Sequence, residues 1–196
     1  MQTRLLGTAL VVSLAVGSLY ARDRDDRDVH GVARAGSRPE PNAVVWIEAP
    51  NAVASTETPR RIVLTQRNMA FLPHVLAVRV GATVEFPNED RVFHNVFSFH
   101  DNKPFDLGTY PVGSSKHVAF TQPGVSRLFC NIHPHMSGYV VAVDSSYFAT
   151  ASADGTFTIP RVPPGHYTYR AWRPGGPVLT GTAVLPSASL LMVTWR

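Results

Sequence analysis

The sequence predicts an all-β protein. After residue 22, no long apolar stretch at helical spacing is free of proline or glycine breaks. Short runs rich in Val, Phe, Tyr and Thr recur between turn signals instead, and 14 glycines and 16 prolines supply the turns. A chain of 196 residues holds one large or two small domains, and either can bury a core.

Taken in order, the chain opens with the build of a secretory signal peptide: Arg4, an apolar stretch over 5–20, then Ala21 before an abruptly charged segment. Residues 1–21 are read as the signal, with the mature chain starting near Arg22 and a periplasmic or exported destination. Leu19 fits poorly three residues before that cut, so cleavage after Ser18, or retention as a membrane anchor, are the alternatives. No other segment is apolar for long enough to span a membrane. Residues 22–28 alternate in charge and form a solvated leader. Residues 29–50 contain a turn-rich stretch at 35–39 leading into a strand at 43–48, and 51–59 read as a linker. Strands follow at 62–64, 75–80 and 83–86, the last after the turn glycine Gly81, and His94 lies on the next. Residues 102–115, with Pro104, Pro111 and two glycines, are expected to be a loop long enough to cover or flank a site. Strands at 116–121, 125–129 and 138–143 close this series. Turn-and-strand units at 153–159 and 162–172 and strands near 178–184 and 190–195 finish a second, small sandwich. There is no internal repeat.

The net charge of +4 and pI of about 9.6 rest on arginines scattered along the chain, without a dense basic cluster or aromatic-basic interleaving. That distribution argues against a nucleic-acid partner and suits an acidic patch on a redox partner.

Cys130 is the sole cysteine. In an exported chain it is paired elsewhere, free, or held by a metal. It opens the motif Cys130-x-x-His133-x-x-Met136, and His94 lies upstream in an apolar, β-branched and aromatic run. A soft thiolate, two imidazoles and a weak, long axial thioether form the donor set of copper that cycles between Cu(I) and Cu(II). Singly, Cys130 reads as an inert buried thiol, His94 as a core histidine and Met136 as core filler; the joint spacing points to metal. A Cys-His nucleophile is the competing chemistry, but the motif lacks a third orienting residue. Zinc could sit on one Cys and two His, although its structural sites rarely use a thioether. The expectation is one type 1 copper ion on His94, Cys130, His133 and Met136, in a protein that is not an enzyme.

Phe71-Leu72-Pro73, the stretch from Val80-Gly81 through Phe86-Pro87-Asn88-Glu89-Asp90, His94-Asn95-Val96, Phe120-Thr121, Pro123-Gly124 and the Cys130 loop together resemble the cupredoxins, the small blue copper proteins. The ligand loop is most similar to that of amicyanin, where the same two intervals separate Cys, His and Met. The resemblance covers residues 60–144 and implies a Greek-key β-sandwich with copper at one end. It also implies that Asn95 and Asn131, each directly after a ligand, tie strand to loop, while Pro134 stiffens the loop. His135 stands where an apolar residue is expected beside the exposed imidazole, which makes the docking surface more polar. His74 and His100 read as surface or hydrogen-bonded histidines.

The stretches Asp154-Gly155-Thr156-Phe157-Thr158-Ile159 and Val162-Pro163-Pro164-Gly165-His166-Tyr167 resemble the carboxypeptidase regulatory-like domains, which are transthyretin-like β-sandwiches. Their opening hairpin is matched by residues 29–50, ahead of the copper region. The cupredoxin-like segment 60–144 is therefore expected to be inserted between that hairpin and the remainder at 145–196. Trp46, Trp172 and Trp195 could stack on sugar, with core packing the favoured use.

The leading functional expectation is a carrier of single electrons between periplasmic redox partners such as a cytochrome or dehydrogenase. In it, His133 is the exit route, able to take a proton when Cu(I) weakens its bond. The alternatives are periplasmic copper trafficking or storage, with Met69, His74 and His135 as exchangeable donors, and an exported scaffold with a vestigial site.

Overall fold

The protein is all-β. The computed structural model describes residues 27–49, 61–99, 104–187 and 189–196; the signal segment, most of the leader, the 51–59 linker and His100 lie outside them. Among the described residues are β1 (Arg27–Ala35), β2 (Arg38–Pro39), β3 (Val44–Glu48), β4 (Ile62–Val63), β5 (Thr65–Arg67), β6 (Ala70–Leu72), β7 (Val75–Arg79), β8 (Thr83–Pro87) and β9 (His94–Ser98). They continue with β10 (Phe105–Tyr110), β11 (Ser115–Ala119), β12 (Gly124–Phe129), β13 (Ser137–Val143), β14 (Phe148–Thr150), β15 (Thr156–Val162), β16 (Gly165–Trp172), β17 (Leu179–Leu185) and β18 (Leu191–Trp195).

Two sandwiches result. In one, a sheet ordered β15-β1-β18, with β2 on β1, faces a sheet ordered β14-β3-β16-β17. Val29 and Ala33, Phe157 and Ile159, and Leu191, Val193 and Trp195 point inward at alternate positions along their strands and pack with Val45 and Ile47. In the other, a sheet ordered β10-β9-β12-β13-β7 faces β11-β8-β4 and the β5-β6 hairpin, around Leu64, Phe71, Phe86, Val96, Phe120, Leu128 and Val140. Strand β1 pairs antiparallel with β15 and parallel with β18, so the first and last described segments share one sheet while β4 to β13 intervene.

The sandwiches meet through β3 and β13, which are apolar on both faces. Along β13, Val140 and Ala142 face the core of their own sandwich, while Val141 and Val143 join Val44, Val75 and Trp172 in a third cluster flanked by Trp46 and Tyr139. Uninterrupted apolar runs in a strand mark burial on both sides. The passage from β13 to β14 is tied back at Ser145, whose hydroxyl donates to the Ile47 carbonyl at 2.6 Å.

Three elements differ from the sequence reading. Phe105–Tyr110, expected within a loop, is β10, paired with β9 through an irregular register between Asp106 and Thr109. Gly108, at φ +63°, makes that irregularity possible. The leader ends earlier than expected, because Arg27 and Asp28 belong to β1 and the Asp28 carboxylate accepts from the Arg161 N–H at 3.0 Å. Third, β5 and β6 form a hairpin whose turn residues, Asn68 and Met69, both sit at φ +54°, the left-handed pair that a two-residue hairpin of this twist requires.

Gly31 has no room for a side chain: a Cβ there would lie 2.1 Å from Phe157 Cζ and 2.6 Å from the Leu191 carbonyl oxygen. Gly31→Ala is therefore expected to lower stability by about 1–3 kcal/mol, measured by denaturant unfolding of the full chain.

Candidate metal centre

Three donors converge where β9 meets the loop between β12 and β13. His94 Nδ1 and His133 Nδ1 are 3.0 Å apart, and Cys130 Sγ lies 3.8 Å from the first and 3.7 Å from the second. His94 is fully buried, Cys130 is 4% exposed and His133 is half-buried. Metal–nitrogen bonds of about 2.0 Å and a metal–sulfur bond of about 2.3 Å can span these separations, so His94, Cys130 and His133 would hold a small ion without moving apart.

The far side of His94 fixes its tautomer. Nε2 lies 3.0 Å from Asp90 Oδ2. The Asp90 carboxyl is held below the ordinary carboxylate range, first by the Met69 backbone N–H at 2.6 Å and further by its bond to His94 and by the Arg91 N–H at 3.0 Å. An anionic Asp90 accepts, so Nε2 carries the proton and Nδ1 presents a lone pair toward His133 and Cys130. Two imidazole nitrogens facing each other at 3.0 Å need an electrophile between them, a proton on His133 or a metal ion.

The β8–β9 turn is organised by Asn88, which is 1% exposed. Its Oδ1 accepts from the Asp90 N–H at 3.0 Å, and its Nδ2 donates to the carbonyls of Val92 and Tyr110 at 2.9 and 3.2 Å. Opposite, Asn95 Oδ1 accepts from the Asn131 N–H at 2.8 Å, and Asn95 Nδ2 donates to Asp106 at 3.3 Å. The loop closes on itself through Met136 N–H to the His133 carbonyl at 2.9 Å and Cys130 N–H to the Met136 carbonyl at 3.3 Å. Beneath the site, burial pushes the Tyr110 phenol up to about 12, with neighbouring Cys130 adding to the shift. That phenol stays neutral, donating to the Phe86 carbonyl at 2.9 Å and accepting from Gln66.

Of the expected ligands, His94, Cys130 and His133 come together as a donor group, and Met136, 1% exposed, packs in the same buried cluster as Cys130. His74 and His135 are exposed; the His74 ring stands edge-on to Tyr139, centroids 5.6 Å apart. Sequence reasoning gave Asp90 no role of its own. The available signal was a carboxylate four residues before His94, at the end of a turn opened by Pro87-Asn88.

The family model described as polysaccharide lyase family 4, domain II, matches residues 132–185, in place of the carboxypeptidase regulatory-like family that the residues there resemble. No curated protein matches the chain. Among solved structures, the purple cupredoxin from Nitrosopumilus maritimus is 26% identical over 42% of this chain and 99% of its own, with a TM-score of 0.40. The copper-containing nitrite reductase from Thermus scotoductus SA-01 is 28% identical over 48% of this chain and 25% of its own, with a TM-score of 0.42. An amicyanin variant in its reduced Cu(I) form at pH 4 is 25% identical over 50% of this chain and 98% of its own, with a TM-score of 0.41.

Replacing the buried Asn95 by Ala removes the acceptor of the Asn131 N–H and the donor to Asp106. Asn95→Ala is expected to destabilise the metal-free protein by about 1–3 kcal/mol, measured by denaturant unfolding.

Proposed function

We propose that this protein is a periplasmic type 1 copper protein that carries single electrons between redox partners, with His94, Cys130, His133 and Met136 as its ligands. The observation that carries the reading is the meeting of Cys130 Sγ and two imidazole Nδ1 atoms within 3.8 Å, with His94 and Cys130 buried. A soft thiolate with two imidazoles and a thioether suits both copper oxidation states, and copper would supply the one-electron chemistry.

The chain's own residues do the rest. Asp90 holds the His94 ring in one tautomer and orientation, and the Asn95–Asn131 bond keeps the Cys130 loop against β9. Burial of His94 and Cys130 keeps water from competing for the donors. His133, the least buried of the three, is the side from which electrons leave. Val92, Phe93 and Ile132, between 43% and 57% exposed, lie on the segments that carry the site and offer an apolar docking surface to a cytochrome or dehydrogenase. The segment 60–144 is read as a copper domain inserted into a carboxypeptidase regulatory-like domain formed by 29–50 and 145–196. Pairing of β1 with β15 and β18 supports that division. The signal-like N-terminus supports export.

Copper trafficking is the second reading, favoured by the exposed thioether of Met69, 58% exposed and joined through its backbone to Asp90. Reversible redox cycling without copper loss supports the carrier; rapid transfer of Cu(I) to a chelator supports trafficking.

After copper addition, the oxidised protein is expected to show an intense visible thiolate-to-copper absorption that Cys130→Ser lacks entirely; the same spectrum in both overturns the assignment. Asp90→Ala is expected to retain the absorption but bind copper about 10–100-fold more weakly, read by chelator competition.

A further inference from the structure

Between the two sandwiches lies a cavity of about 540 Å³, within the span of small-molecule sites and at the kind of domain junction where such sites occur. Its wall shares Trp46, Val125, Val141, Val143 and Trp172 with the apolar cluster, and charged side chains join them at one side. Trp46, half-buried, offers an indole while Trp172, 7% exposed, backs the wall, and Glu48 and Arg170 contribute a charged pair with Oε1 and Nε 2.7 Å apart. Asp144 lines it from the other sandwich. The β3–β16 register explains the alternation: Trp46 stands opposite Arg170, Glu48 opposite Thr168, and Trp172 opposite Val44. Aromatic and charged side chains thus share one face of the sheet in neighbouring rows.

We propose that this cavity binds a carbohydrate of about disaccharide size. The lining holds two carboxylates and one guanidinium, which disfavours phosphate-bearing ligands. An acyl chain could use the apolar part of the wall but would leave these hydrogen-bonding groups without partners of its own. A pyranose offers what the surface asks for: a flat C–H face for an indole, and a rim of hydroxyls that can donate to Glu48 and Asp144 and accept from Arg170. Arg170 and Glu48 are half-exposed and already paired with each other, so they present preset hydrogen-bonding edges.

The test is isothermal titration of the full chain with cellobiose, maltose and N,N′-diacetylchitobiose, with sodium decanoate as the apolar probe. At least one disaccharide is expected to bind saturably, in the wild type and in Cys130→Ser alike, which separates this site from the copper reading. Arg170→Ala and Trp46→Ala are each expected to weaken binding about tenfold or more while leaving the copper absorption unchanged. Because Trp46 also packs at the junction, Arg170→Ala decides if Trp46→Ala does not fold. The proposal is overturned if no disaccharide binds, if decanoate binds in their place, or if Arg170→Ala binds as the wild type does.

Discussion

A fully buried imidazole with both nitrogens committed underlies the candidate site. His94 has no exposed surface, so its Nε2–H must be satisfied internally, and Asp90 does this at 3.0 Å. Once that bond is made, the other nitrogen carries a lone pair that has to find an electrophile inside the protein. Cys130 and His133 are brought to the same point, and the arrangement that satisfies one histidine thereby creates a place for a cation. Asp90 in turn depends on the β5–β6 hairpin. The Met69 N–H that anchors its carboxylate belongs to a turn residue at φ +54°, a conformation that costs a non-glycine residue roughly 1–2 kcal/mol. A charge-assisted hydrogen bond at that residue offsets the cost, so hairpin, carboxylate and imidazole form one mechanical unit.

The sandwich without the donors stiffens the one that has them. Residues at β3 and β13 are buried on both sides, so neither sheet can slide along the other without exposing Val44, Val141, Val143 or Trp172. Each buried aliphatic or aromatic side chain contributes about 1.5–3 kcal/mol relative to exposure. Strand β13 begins just after the Cys130 loop, so this packing fixes one end of the loop from outside its own sandwich. Ser145, bonded to the Ile47 carbonyl, holds the chain where it passes between the two.

Much of this was legible in the sequence because strand periodicity and ligand spacing are local properties. The alternating runs gave most strands, and Cys130, His133 and Met136 lie close enough along the chain to be read as one motif. The partnership of His94 with them depends on register across β9 and β12, and the residue type together with a family resemblance pointed to it. What stayed hidden depends on three-dimensional proximity. Asp90 works through a turn whose shape is set by Asn88, a residue with no periodic signal. Strand β10 looked like a loop because its proline and glycine frame an irregular ladder, and the pattern of Phe105 to Tyr110 is broken by Gly108. The cavity between the sandwiches draws Trp46, Asp144 and Arg170 from three distant segments, so no window along the chain could reveal it.

Strand β9, which bears His94, and β12, which ends just before Cys130, are joined by little backbone pairing. Between β9 and β12 the ladder amounts to Phe97 opposite Phe129, although His94 and Cys130 must keep a separation of 3.8 Å. Side chains take over the task. Outside, Phe97 and Phe129 stack with centroids 5.7 Å apart, Phe99 stacks on Phe129 at 5.6 Å, and the Arg127 guanidinium lies 4.8 Å over the Phe129 ring. On that same face, two residues before Phe97, the Asn95 carboxamide reaches across to the Asn131 backbone. A hydrogen-bonded ladder would fix spacing through the backbone and leave the loop that follows free to choose its path. The aromatic clamp and the amide bridge act on both sides of Cys130 along the chain, at Phe129 and Asn131. The sulfur is thereby held between two fixed neighbours, which lets a loop residue keep a donor position as steady as one on a strand.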